Sequence, residues 1–225
     1  MKHIVREIME FLQIRSKLFF LAPAIVGLSA SSGIVITPTE IQQSERCRVQ
    51  QSIPDCLVIL KSSNPKLREA AVDYLGRIGP SKKSVLPYLF NALRDPDPMV
   101  RRSAAFGFAS VIEPGDSYVK PAMPQLISML KDPTYQVRAG AGCALTSIGR
   151  SASTSKGVLV HITPLLKDRN STTRGAIAGC MIRMGEYARS AAPQVFPLLQ
   201  DSNIYARYAA EGFLTKLGYK IDIKH

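Results

Sequence analysis

A leucine, a short polar turn and an arginine eight residues after the leucine recur five times in this chain. The leucines are Leu60, Leu93, Leu130, Leu166 and Leu199; the arginines are Arg68, Arg101, Arg138, Arg174 and Arg207. Successive arginines are 33, 37, 36 and 33 residues apart. Self-similarity at that period marks one supersecondary unit per copy, and five copies in register restrict the chain to an array. Apolar residues stand seven, four and three positions before the leucine: Leu86, Leu89 and Phe90; Met123, Leu126 and Ile127; Ala192, Val195 and Phe196. After the arginine they stand at three, seven and ten, as in Ala104, Phe108 and Val111 or Ala141, Leu145 and Ile148. Both spacings follow one face of a helix. Each unit therefore reads as two antiparallel helices, and neither can hide its apolar stripe alone. Stacking neighbours hides it, which predicts an all-α solenoid of about five helix-turn-helix repeats.

Prolines punctuate the first helices six residues before the leucine, at Pro54, Pro87, Pro124 and Pro193. A first helical turn tolerates the missing N–H, so the helices are expected to open there. The fourth unit has Val160 instead and carries Pro164 later, as the fifth carries Pro197, so kinks are expected at both. Gly79, Gly149, Gly185 and Gly218 follow the second helices, where a residue at φ > 0 closes a helix cheaply. The second unit has Ile112 there and then Glu113-Pro114-Gly115.

Residues 1–31 read as a signal peptide or membrane anchor. Lys2, Arg6, Arg15 and Lys17 precede an apolar run from Leu18 to Leu28, and the small residues Ser29-Ala30-Ser31-Ser32-Gly33 follow. That order is the secretory pattern, with cleavage expected near Ala30 or Ser31. No charge falls between Leu18 and Thr39, so a membrane tether through 18–39 is the second reading. The chain is thus expected to be exported, periplasmic or extracellular, or membrane-anchored, with a cytoplasmic protein as the alternative. Residues 32–53 read as a linker and N-terminal capping helix, and 54–225 as the solenoid. Four cysteines fit an exported chain. Cys47 and Cys56, nine apart across a helix-helix turn, are the better disulfide candidates, and Cys143 and Cys180 allow a second bridge.

Once the repeats are aligned, the pattern resembles the HEAT repeat, in the short units of the phycobilisome-lyase type. That pattern has a proline in the first helix, an aspartate eight residues later and a basic residue six after that. Here these are Pro87, Asp95 and Arg101; Pro124, Asp132 and Arg138; Pro193, Asp201 and Arg207. The fourth unit keeps Asp168 and Arg174 without the proline, and the first keeps Pro54 and Arg68 with Ser62 in place of the aspartate. The resemblance implies that these acids and arginines form a structural ladder along the turns, and charge-assisted pairing of an acidic turn residue with a helix-opening arginine is sound chemistry. The arginines are then subtracted before a basic surface is counted.

Little else could carry a reaction. The histidines are His3, His161 and His225, so no Ser/His/Asp group can be assembled around more than one internal histidine. No Cys-x-x-Cys offers a zinc site, no His-Glu pair supports an iron centre, and no cofactor is expected. The formal net charge of +12 invites an anionic partner, but it is spread along the chain. With no Trp and an export signal, nucleic acid is not the expected one. The expected function is a non-catalytic scaffold or adaptor binding a protein or peptide along the second helices. Its contacts would be Arg77, Arg102, Phe106, Arg183, Tyr208 and Lys216, which lie one, five or nine residues from the repeat arginines and away from the core positions. The resemblance implies a different alternative, an accessory or chaperone-like subunit of a lyase that attaches phycobilins. A basic surface for nucleic acid is the third.

Overall fold

The computed structural model describes residues 36–50, 52–77 and 82–221. The expected signal or anchor, with His3 and His225, lies outside the described residues, as do Ile78 and Gly79. Among the described residues there is no strand, and no helix is long and apolar enough to cross a membrane.

Helix α1 (Pro38–Val49) precedes the repeats. The five units then pair α2 (Ile53–Ile59) with α3 (Pro65–Leu75), α4 (Lys82–Ala92) with α5 (Pro98–Val111), and α6 (Val119–Met129) with α7 (Tyr135–Ile148). In the fourth unit α8 (Ala152–Ile162) runs into a 3-10 segment, Thr163–Lys167, and pairs with α9 (Ser171–Met181). The fifth has a broken first helix, with α10 (Ala192–Val195) between 3-10 segments Ile182–Ala191 and Phe196–Gln200, followed by α11 (Ile204–Lys216). Each second helix packs on the next, so α3, α5, α7, α9 and α11 form one layer and the first helices the other.

The second helices start where the chain supplies caps. The side chains of Asn64, Asp97, Asn170 and Asn203 each accept from amides in the first turn, which satisfies donors that have no intrahelical acceptor. Among the described residues, the core positions counted from the arginines are buried, including Ala71 and Leu75, Ala104, Phe108 and Val111, and Ala210, Leu214 and Leu217.

Two expectations about punctuation and one about the core are corrected. Pro87 and Pro124 lie inside α4 and α6, because those helices begin a turn or more earlier than the prolines. Of the four prolines placed six residues before the leucines, only Pro54 and Pro193 occupy a first turn. Gly185 and Gly218 take φ of 55° and 83°, but Gly149 sits at −73°. A Cβ on Gly149 would lie 2.7 Å from the Met184 methyl and 3.0 Å from Val158, so close packing explains that glycine. Phe196 is not a core residue: its 3-10 turn buries Leu198 instead, and the Phe196 ring rests edge-on against Tyr219.

Candidate functional site: the turn ladder and the inner face

The conspicuous arginines form a ladder between neighbouring units. Arg68 Nε and Nη2 donate to the two oxygens of Asp95, both at 2.8 Å. Arg138 grips Asp168 in the same fork at 2.7 Å, and Arg174 grips Asp201 at 2.6 and 2.8 Å. Arg101 reaches Asp132 through Nη2 at 2.7 Å. Each arginine also donates through Nη1 to carbonyls of its own turn, as Arg138 does to Asp132 and Pro133. Each aspartate in turn accepts from the amide two residues on, such as Asn170 onto Asp168. One guanidinium thus ties its own turn to the next.

Burial is the largest influence and would raise the Asp95 and Asp168 carboxyls, but the bonds from Arg68 and Arg138, the amide two residues on and the neighbouring positive charges together hold both below the usual range. Asp201 is lowered chiefly by its bond to Arg174. These groups are ionised, mutually neutralised and largely enclosed. They are mortar between repeats and leave no free acid or base for chemistry.

The first rung is built the other way round. Ser62 takes the aspartate's place, its hydroxyl receiving the Asn64 amide and donating to the Glu40 carboxylate of α1. That bond, with the Thr37 amide, lowers the Glu40 pKa. Nothing in the sequence around Glu40 marked it as a rung, since its partner is 22 residues away.

The inner face offered by the second helices is less continuous than its register predicts. Ala139, Cys143 and Ser147 of α7, placed on the exposed stripe by counting, are buried. The cause is small side chains. At Gly140 a Cβ would lie 3.1 Å from Ala105 and 3.4 Å from the Phe106 ring, so α5 closes over α7 from one side. The Ser147 hydroxyl bonds the Ala109 carbonyl at 2.8 Å, and a disulfide joins Cys143 to Cys180 on the other side. A second disulfide, Cys47–Cys56, ties α1 to α2, so all four cysteines are paired.

What remains accessible is two patches. In the first, Arg77 pairs with Asp73 on α3, and Arg102 lies 3.7 Å from Glu69 and 5.6 Å from the centre of the Phe106 ring. Phe106 is 38% exposed, so it is a platform as well as a packing residue. The acids already neutralise much of this patch. In the second, Arg183 is exposed beside Arg150 and has no carboxylate partner among the described residues. Partial burial first, and then the positive charge of Arg150, pull the Arg183 guanidinium below its ordinary pKa. Arg150 is anchored on the carbonyls of Ser147 and Ile112. Lys216 holds the register of Arg183 on the next helix, and Tyr208 is largely exposed. Counting at nine positions from the repeat arginine finds Arg183 and Lys216 but misses Arg150, which lies just past its helix.

A cleft of about 460 Å³ between α8 and the fifth unit's first segment is lined by Lys156, Val160, Thr163, Tyr187, Ser190 and Gln194. It holds an amine and a phenol but neither carboxylate nor imidazole. Among the described residues no cluster of His, Cys, Asp and Glu could hold a metal ion. His161 is half-buried on α8, without a catalytic neighbour in that cleft.

Stacked two-helix units joined by an Asp–Arg turn ladder define the HEAT-like class of α-solenoid, and this chain has that fold. The family model of Cnd1, non-SMC mitotic condensation complex subunit 1, matches residues 75–175. No curated protein matches the chain. Among solved structures, the complex of CpcE and CpcF of phycocyanin lyase from Nostoc sp. PCC7120 is similar over 88% of this chain and 83% of its own, at 21% identity and a TM-score of 0.54. An archaeal HEAT-like repeats protein from Thermococcus onnurineus NA1 is similar over 84% and 79%, at 15% identity and a TM-score of 0.52. A designed armadillo repeat protein in complex with the peptide (KR)4 is similar over 79% and 86%, at 16% identity and a TM-score of 0.55.

Proposed function

We propose that this protein is a non-catalytic, exported scaffold whose inner face binds an acidic segment of a partner protein. The observation that carries this reading is Arg183 beside Arg150. Four repeat arginines have a carboxylate from the next unit, yet these two cations stand together with none. Two cations near enough to feel one another's charge, with no carboxylate between them, favour an anion that neutralises both. Phe106 and Tyr208 supply aromatic anchors at the two patches, and Arg77, Arg102 and Lys216 extend the basic edge. The designed armadillo repeat protein of similar fold was solved with a peptide, which supports a peptide segment as the kind of partner a solenoid holds. The paired cysteines support the export half of the reading, because disulfides persist in oxidising compartments.

Fluorescence anisotropy with a labelled oligoglutamate peptide, and with (KR)4 as the control, tests the binding half. The acidic peptide is expected to bind and the basic one not to. Arg183→Glu should weaken the acidic peptide about tenfold, as a lost charge-assisted contact worth roughly 1.5 kcal/mol implies. Equal binding of both peptides, or no effect of the substitution, would refute it. For export, mass spectrometry of the mature chain should find an N-terminus near Ala30 or Ser31; an intact Met1 on a soluble cytoplasmic product would refute that half.

A further inference from the structure

Among the described residues the last arginine of the ladder has no carboxylate partner, and its surroundings say what would suit it. Arg207 makes the bonds to its own turn that every repeat arginine makes, donating through Nη1 to the Asp201 carbonyl at 2.8 Å and the Ser202 carbonyl at 3.4 Å. Among the described residues no carboxylate meets its Nε and Nη2 edge, which upstream faces the aspartate of the following unit. One helical turn on stands Glu211, four residues after the arginine. The preceding units carry Val72, Ala105, Gly142 and Ala178 in that register, and all are buried.

That register faces forward along the array. Ala105 lies against Gly140 of the next unit, and Gly142 against Ile177 of the next. Glu211 therefore points out of the open side of α11. It is half-buried and has no hydrogen bond or ion pair among the described residues. A sixth unit stacked like the others would bury this carboxylate against a helix. It would also meet Tyr208 where Gly175 admits the Ala206 backbone at 3.1 Å.

The same face suits its own copy. A two-fold interface needs a patch that complements itself. Here a cation with a free edge and an unpaired anion lie one turn apart on one helix. Around them Tyr205 is 77% exposed, Tyr208 56% and Ile204 45%. We propose that two copies of this protein associate through α11, antiparallel across a two-fold axis. The Arg207 fork of each copy takes Glu211 of the other, and Ile204 and Tyr205 cover one another at the seam. One helix against one helix sits near the small end of stable interfaces, roughly 1,200 Å² in total, so a weak, concentration-dependent dimer is expected. This does not rest on the inner-face reading, and its test leaves Arg102, Phe106, Arg183 and Tyr208 unchanged.

Sedimentation velocity of the full chain over a concentration series should show a monomer–dimer equilibrium. Arg207→Glu and Glu211→Arg should each weaken the dimer about tenfold or more, by setting like charges face to face, with helical circular dichroism unchanged. Mixing the two variants is the sharper measurement. One then presents only acids and the other only cations at the seam, so a heterodimer should form although neither variant dimerises alone. A protein that stays monomeric throughout the series, or two folded variants that fail to associate on mixing, would overturn the proposal.

Discussion

Removing one arginine from the middle of the ladder should cost far more than removing the one at its end. In Arg138→Ala, Asp168 loses both of its 2.7 Å bonds to the guanidinium and keeps only the Asn170 amide. The carbonyls of Asp132 and Pro133 lose their donor as well. The pair is enclosed, the two side chains being 7% and 8% exposed, so the orphaned carboxylate is not rescued by water. Leaving one partner of a buried ion pair uncompensated costs about 3–5 kcal/mol. Arg207→Ala removes only bonds to two turn carbonyls at a more open position, which is worth about 1 kcal/mol. For a chain of this length 1 kcal/mol shifts the melting temperature by roughly 2–4 °C, so the two variants should differ by about 10 °C. Replacing both Arg138 and Asp168 by Met and Leu should recover most of the loss, because the cost lies in the stranded charge. Circular-dichroism melts of the four proteins measure all of this. Equal losses for Arg138→Ala and Arg207→Ala, or a double variant as weak as the sum of its parts, would show that the ladder does not hold the units together.

Acid should act through the same rungs. Asp95, Asp168 and Asp201 have folded pKa values below their unfolded ones, so their stabilisation is full above about pH 5 and fades as pH falls through the folded values. Melting temperatures from neutral pH down to about pH 3 should fall in that window, and Asp168→Asn, weaker at pH 7, should show a shallower decline. Reducing the Cys143–Cys180 bond, which spans 37 residues, should destabilise by up to about 4 kcal/mol. The Cys47–Cys56 bond, spanning nine, should contribute up to about 2.5 kcal/mol, and urea denaturation of the single-bridge variants separates the two. Gly76→Ala places a Cβ 2.5 Å from the Gly107 Cα, backbone against backbone, and should cost about 1–3 kcal/mol in the same assay.

The array was legible because its signal is periodic. Five arginines, and core residues counted from them, need only helix geometry to be placed, and Phe108, Leu145 and Leu214 lie where counting puts them. The binding surface was less legible because exposure depends on how closely neighbouring helices approach. Register puts Cys143 and Ser147 on the same stripe as Phe106, yet only Phe106 reaches solvent, since Gly140 lets α5 and α7 come together. The prolines misled for a related reason: Pro87 has its register, but α4 starts at Lys82 and makes the proline internal. Arg150 and Glu211 carried no periodic signal, and their meaning comes from what the fold leaves unpaired beside them.

The inverted first rung has a consequence for anyone who would regularise this protein. Repeat engineering replaces each irregular residue with the one its sister units share, and position 62 invites an aspartate. In four other turns that residue meets a guanidinium. Here it would meet Glu40, and Ser62→Asp would set two carboxylates against one another at the joint between α1 and the first unit. The serine is the adapter that lets an acidic helix abut an array whose turns otherwise present acids, so the N-terminal helix and position 62 can be redesigned only as a pair.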